Sequence, residues 1–457
     1  MCSALPSLRM HLKRTARIRR EQRLLMTALV LDILADDANA KYPKGRRHSK
    51  TIRRTRKSVQ GMWDELGSHA RKAYRMSWDT FQLLHETLEE KLIEEFGVKE
   101  EGEALYIPNG AIPTLLRLSA ALRFFAGGAV YDIMLTHGLS KSSVYKSIYG
   151  VVNVVNREKS LSFNHNGAEF PTHDEQRAIA SGFHAKSGAD FDKIIMTIDG
   201  MLIWTIQPSK SECEFLKIGE RVFHCYRKDK YGFLLMAGCD HETKFRWADI
   251  RHPAACSDYL AWVSSDVGRQ LENDDSDLIL KDHTIVGDNA FVENHTMATP
   301  IPGLSISTLE DDYNFYLSQV RITIERAFGI LVHRWGDLRR PLAISVLNVP
   351  AFVTCLMRLH NFCIDFDSRR TPSPIRDDKI AIQRMARRSK KTRPKAVTLD
   401  KKGSPDDLVG SGHHFRDEPG GSGRRPVPTR RRPNNLTPMR KMMNQVASAN
   451  LARPTIG

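Results

Sequence analysis

The chain has 457 residues, 41% of them apolar, and a formal net charge of +16. It is long enough for two or three domains around a sizeable core, and too apolar to be wholly disordered. Seven cysteines, odd in number and without a C-x-x-C pair, argue against a disulfide-stapled secreted fold and a Cys-type zinc domain.

The charge is uneven. Residues 1–60 carry 16 Lys+Arg against 4 acids and residues 366–457 carry 22 against 8, which leaves a net −10 for the middle. Clusters such as RRTRK (53–57), RRSKKTRPK (387–395) and TRRRP (429–433) suit phosphate backbones or nuclear import. Residues 1–60 read as a basic flexible segment. Within it LLMTALVL (24–31) stops at Asp32 after a long charged stretch, so a short amphipathic helix is expected rather than a signal peptide. No apolar run reaches the roughly 18–20 residues of a membrane span, and no membrane is expected.

Residues 61–160 read as a helical region. In 77–96, Phe81, Leu84, Leu88 and Leu92 recur near the helical period behind Ser77 as N-cap. A second helix covers 111–126 and breaks at Gly127-Gly128. Then VYDIMLTHGLSKSSVYKSIYGVV reads as a helix over 129–136, a turn at His137-Gly138-Leu139, and a second helix capped by Ser140. Val144, Ile148 and Val151 face inward. Lys141, Ser142, Tyr145 and Lys146 then project outward, the helix-turn-helix layout in which such side chains reach base edges. An ordinary helical hairpin with a solvated face fits the same pattern.

Residues 161–192 read as a loop-rich link. From 193 the pattern turns to strands: KIIMTID (193–199), YGFLLMAGCD (231–240), KFRWADI (244–250) and HTIVGD (283–288). One helix is expected over 256–272, a long one over 313–335, and another from Pro350 to about Cys363. The fold class is α/β, a mixed-sheet domain over 193–367 preceded by an all-α region, with residues 368–457 a basic, mostly disordered tail.

Asp199 and Asp288 end apolar strands, the place where open α/β sheets put ligand chemistry. On the long helix Val320, Ile324, Phe328 and Leu331 make the buried stripe, and Glu325 lies beside it, able to lean toward the aspartates. Three carboxylates suit hard divalent cations such as Mg²⁺. A lone acid at a strand end is more often a cap or a surface group; the order Asp, Asp, then Glu on a helix gives the set its weight. Arg321, Arg326 and Arg334 stand near enough in sequence to Glu325 to hold phosphates, although Arg321 and Glu325 also suit an i,i+4 pair. Lys228 and Lys230 are further candidates. His224, Cys225, Cys239 and His241 fit no common zinc spacing, and no P-loop or G-x-S-x-G elbow occurs.

MTIDGMLIWTIQPS, HTIVGDNAFVENHTMATPIPG, NFYLSQVRITIERAFGILVHRWGDL and RLHNFCID, in this order, resemble the catalytic domain of PIF/Harbinger transposases and their derived nucleases. LLRLSAALRFFAGGAVYDIMLTHGLSKSSVYKSI is similar to that family's helix-turn-helix region, so the resemblance covers roughly 110–365. It implies a ribonuclease-H-like fold and metal-dependent cleavage and transfer of DNA strands, with Asp199, Asp288 and Glu325 as the three acids holding two Mg²⁺ (or Mn²⁺). It further implies double-stranded DNA as substrate, a homo-oligomer, a Myb-like DNA-binding partner protein and the nucleus as location. Two departures lie at the site. Asn289-Ala290-Phe291 stands where the family has a Gly-Tyr-Pro turn, and Met201-Leu202 where it has a small polar residue and His. Asp258, in Ala255-Cys256-Ser257-Asp258, replaces a Gly-Ser-x-x-Asp turn and reads first as a helix cap near the site. A second reading is a nuclear DNA-binding protein that keeps the fold and has lost catalysis.

Overall fold

In the computed structural model, residues 55–97, 110–189, 191–273, 276–303, 306–367, 437–449 and 451 are described. The apolar segment 24–31, the basic clusters at 387–395 and 429–433, and the first two residues of RRTRK lie outside them. The described end of RRTRK is tied down: Arg56 donates to the Gly110 carbonyl at 2.8 Å and Lys57 pairs with Glu65 at 2.7 Å.

The chain enters through α1 (Val59–Leu66), α2 (Ala70–Tyr74) and α3 (Trp78–Phe96). Ser77 Oγ accepts from Thr80 N–H to start α3, and left-handed Gly97 (φ 66°) ends it. α4 (Thr114–Phe125), α5 (Val130–His137) and α6 (Lys141–Arg157) follow. Gly138 takes φ 62° between α5 and α6, where a side chain would strike the Thr55 carbonyl, and Ser140 caps α6 through Ser143 N–H. A helix, a turn and a second helix thus stand where expected, with the turn packed against the entering chain.

The stretch expected as a loop-rich link instead carries α7 (His173–Lys186). Thr172 and Glu175 form a reciprocal capping box, and Gln176, Ile179, Ala180 and Phe183 are buried.

β1 (Ile194–Trp204), α8 (Lys210–Leu216), β2 (His224–Cys225), β3 (Lys230–Cys239) and β4 (Phe245–Pro253) come next. The helix expected over 256–272 is split into α9 (Asp258–Ser264) and α10 (Asp266–Leu271). Ser265 leaves helical geometry, caps α10 through Gly268 N–H at 2.9 Å and starts the chain in a new direction. β5 (Thr284–Val286), β6 (Met297–Ala298), α11 (Thr308–Arg334) and α12 (Val349–Phe366) complete the sheet domain. The sheet runs β2-β3-β1-β5-β6, with β4 also paired to β3. β1, β3 and β4 form an antiparallel meander, and β5 and β6 lie parallel to β1. The molecule is thus mixed α/β with a mixed sheet behind a helical N-terminal region.

One apolar core runs through helical region and sheet alike. Phe125 of α4 packs edge-on against Trp335 and Phe352 at 6.3 and 5.5 Å between ring centroids. Arg358 of α12 donates to the carbonyls of Val155, Asn156 and Glu158 that end α6. α12 is long and apolar enough to cross a membrane, but most of it is buried in this core. The expected tail also contains structure: α13 (Pro438–Ser448) buries Met442 and Val446 against Tyr313, Leu317 and Val320 of α11.

Candidate active site

β1 begins as a run of residues buried on both faces, Ile194 to Ile198, and opens to solvent at Asp199. Its parallel partner β5 pairs Val286 with Thr197. Asp288 follows two residues after Val286, past the end of β5, as Asp199 follows Thr197 on β1. Both carboxylates are held from behind. Asp199 Oδ1 accepts from Gly200 N–H at 2.8 Å, and Asp288 Oδ1 accepts from Ala290 N–H at 2.8 Å. Phe291 turns back under the strand end, so close to Gly287 that a side chain there would meet its ring at 2.7 Å. Phe291, in the segment where the sequence resemblance leads one to expect a Gly-Tyr-Pro turn, is buried with its ring edge-on to Trp262 at 6.5 Å between centroids.

Asp258 is not the cap of α9. Ser257 is, accepting from Leu260 N–H at 3.3 Å. The Asp258 carboxylate lies instead on Gly200: a Cβ there would stand 2.2 Å from Asp258 Oδ1, so a side chain after Asp199 would displace this carboxylate. Three aspartates from three elements therefore share one neighbourhood, and the electrostatics register it. Burial pushes the Asp199 carboxyl up to about 6; Gly200 N–H opposes this, Asp288 adds to it, Arg321 opposes it, and Asp258 adds again. Asp258 is raised by burial and then by Asp288, while Arg227 and Lys228 draw it down.

Glu325 stands apart from this group. The α11 stripe is as expected, with Val320, Ile324, Phe328 and Leu331 buried. Glu325, next to Ile324, is 46% exposed and pairs with Arg321, Nη1 to Oε1 at 3.3 Å. Arg321 links the two parts of the site: its charge acts on Asp199, it pairs with Glu325, and its Nε is buried without a partner. Among the described residues no three His, Cys, Asp or Glu side chains stand close enough to hold an ion as arranged. The donor set nonetheless fits a hard divalent cation, because several carboxylates crowd a half-buried place at a cost that positive charge relieves.

The other residues singled out in the sequence divide. Arg326 is half-buried on α11. Arg334 is not available to a ligand: it is 6% exposed, donates to the Arg75 carbonyl at 3.2 Å and faces Asp367. On α6, Lys146 is exposed and Lys141 and Ser142 are half-buried, while Tyr145 packs against the core rather than projecting outward. Lys230 sits 3.6 Å from the Trp204 ring centroid.

No curated protein and no solved structure matches this chain. Residues 198–361, a span that starts beside Asp199, includes Asp258, Asp288 and Glu325 and ends at Asn361, match the family model of the DDE superfamily endonucleases.

Proposed function

We propose that the chain is a divalent-metal-dependent DNA endonuclease of the transposase type, with Asp199, Asp288 and Glu325 as the carboxylates that hold Mg²⁺ or Mn²⁺. The observation that carries the reading is Asp199 on β1 and Asp288 just past the end of its parallel partner β5, near enough that the charge of Asp288 acts on Asp199, inside the segment that matches the endonuclease family. The meander followed by two parallel strands supports a ribonuclease-H-like sheet.

The metal, when bound, supplies Lewis-acid activation of a water and charge for the leaving oxygen. The residues supply placement. Asp199 is held on β1 and Asp288 in the turn after β5, each with a backbone N–H on its carboxylate. Asp258 adds a third negative group against Gly200. Glu325 joins by leaving Arg321, whose guanidinium is then free for a phosphate of the DNA. Strand transfer by the freed 3′-hydroxyl, a dimer that joins two DNA ends, and a nuclear location belong to the same reading.

The test is cleavage of duplex DNA carrying the ends of the transposon that this reading implies, with and without Mg²⁺ or Mn²⁺. Asp288→Asn lowers cleavage by roughly 100-fold or more, the scale of a lost catalytic group. Full activity in Asp288→Asn excludes this site. The exposed Glu325, paired with Arg321, favours a second reading, a DNA-binding derivative without catalysis. That reading is chosen if the wild-type chain binds the DNA and no metal elicits a cut.

A further inference from the structure

The turn between β2 and β3 has no part in the chemistry described so far, yet it is held by several local contacts. His224 pairs with Tyr231 and Cys225 with Lys230 across it, and Lys228 N–H donates to the Cys225 carbonyl at 3.1 Å. His224 Nε2 lies 3.1 Å from Asp229 Oδ1, with Asp229 in the left-handed region at φ 51°. The same imidazole packs edge-on against Tyr226 and Tyr231 at 4.9 and 5.0 Å.

This framework presents three side chains to solvent. Tyr226 is 73% exposed, and Arg227 and Lys228 are exposed beside it. Among the described residues neither cation has an ion-pair partner. The turn adjoins the carboxylates. Ala255 N–H, in the loop that leads to Asp258, donates to the Val222 carbonyl just before β2, and Arg227 and Lys228 both draw down the Asp258 carboxyl. On the first turn of α9, Tyr259 and Leu260 add exposed apolar surface next to Asp258.

Two free cations and an open aromatic ring, held rigidly next to a cluster of acids, match the chemistry of a nucleic-acid strand. A polyanion entering a carboxylate site needs local positive charge to lie down there. A ring face takes any base, whatever the sequence. We propose that the β2–β3 turn grips the DNA strand being cut, with Arg227 and Lys228 on phosphates beside the scissile bond and the Tyr226 ring on an unpaired base. The proposal rests on the endonuclease reading and adds to it a named contact surface and a preference for DNA that is forked at the cleavage point.

The experiment measures binding of the full chain to fluorescein-labelled forked and blunt duplexes by anisotropy, in Ca²⁺ and over a range of salt. In Arg227→Ala/Lys228→Ala the slope of log affinity against log salt falls in magnitude by about 1.8, two phosphates at ~0.9 each. Tyr226→Ala weakens the forked duplex by roughly 5- to 100-fold and leaves the blunt duplex unchanged, the range expected for one stacked base, and Tyr226→Phe restores the wild-type value. All three side chains are exposed, so the variants unfold at the wild-type denaturant midpoint. If the wild type binds DNA but slope and fork preference are the same in every variant, the grip is wrong and the endonuclease reading stands. If the wild type binds neither duplex, the endonuclease reading falls and the grip with it.

Discussion

Asp199 stores an electrostatic cost that substitution can release. Its folded-state carboxyl titrates near 6, above the ordinary carboxylate range, because burial and the charges of Asp288 and Asp258 outweigh Gly200 N–H and Arg321. A group raised in the folded state destabilises that state once ionised, so the cost develops as pH rises from about 4 to 6 and is complete above it. Asp199→Asn mimics the protonated form. Without divalent metal at pH 7 it therefore gains up to about 3 kcal/mol of stability, read as a higher urea midpoint, and the gain shrinks as pH falls toward 4. Mn²⁺ reverses the order by stabilising the wild type alone. Equal midpoints at pH 7 mean that the carboxylate is not crowded and the site is misassigned. Asp199 and Asp288 were legible as acids at strand ends. Asp258 was legible only in part, near the site but as a cap, because Ser-Asp before a helix reads so, and only the fold lays that carboxylate on Gly200. Arg334 misled for the opposite reason: an arginine-rich block suggests phosphates, but the helix turns this one inward to Asp367.

Elements with a complete local signal were read nearly to the residue. α3, α5 and α6 have a capping serine or a left-handed glycine at their ends and a clean apolar stripe. α7 had its signal too, Thr172 followed by Glu175, but its apolar face is thin and its surroundings polar. The break at Ser265 lies inside a run whose Val263, Val267 and Leu271 keep helical spacing, so periodicity alone joins α9 to α10. α13 is amphipathic in its own sequence, but it is short and follows a long Pro-, Arg- and Gly-rich stretch whose composition hides it. The seam between α12 and β4 is a case in which side chains rather than periodicity fix an element. Asn361 Oδ1 accepts from Phe245 N–H at 2.9 Å and its Nδ2 donates to the Phe245 carbonyl at 2.8 Å, both buried. Asn361→Ala leaves a backbone donor and acceptor unpaired and is expected to cost about 2–4 kcal/mol in chemical denaturation. A cost below ~0.5 kcal/mol shows that water or another group replaces the amide.

Because one core serves the helices and the sheet, acid acts on the molecule as a unit. His137 is buried in the helical region, contacts Ser119 and Thr136, and is pushed down to about 4 by burial and then by Arg123. His360 is buried at the α12–β4 seam, donates to the Thr243 carbonyl at 3.0 Å, and is pushed down to about 3 by burial and then by Arg334. Both folded-state values lie below that of an unfolded histidine, so the unfolded chain takes up protons that the folded chain refuses, and stability falls with pH from about 6.5 downward. Asp199, Asp258 and Asp337, all raised by burial, work the other way at the acid end, while His241 and His252, both lowered by burial, add to the loss. Each buried histidine contributes about 1.4 kcal/mol per pH unit while its folded and unfolded states differ by one proton. Glu158 and Glu175, held low by hydrogen bonds from Lys91 and Thr172 among others, add to the loss at the acid end. Urea midpoints at pH 7, 6 and 5 are expected to fall in step. Fluorescence of Trp63 in the helices and of Trp247, Trp262 and Trp335 in and around the sheet is expected to change in one transition, each followed in a variant that lacks the other tryptophans. A rising midpoint below pH 6.5 contradicts the histidine argument. Two separated transitions show instead that α4 and α6 unfold without the sheet, despite the packing of Phe125 on Trp335 and the hydrogen bonds from Arg358 to the end of α6.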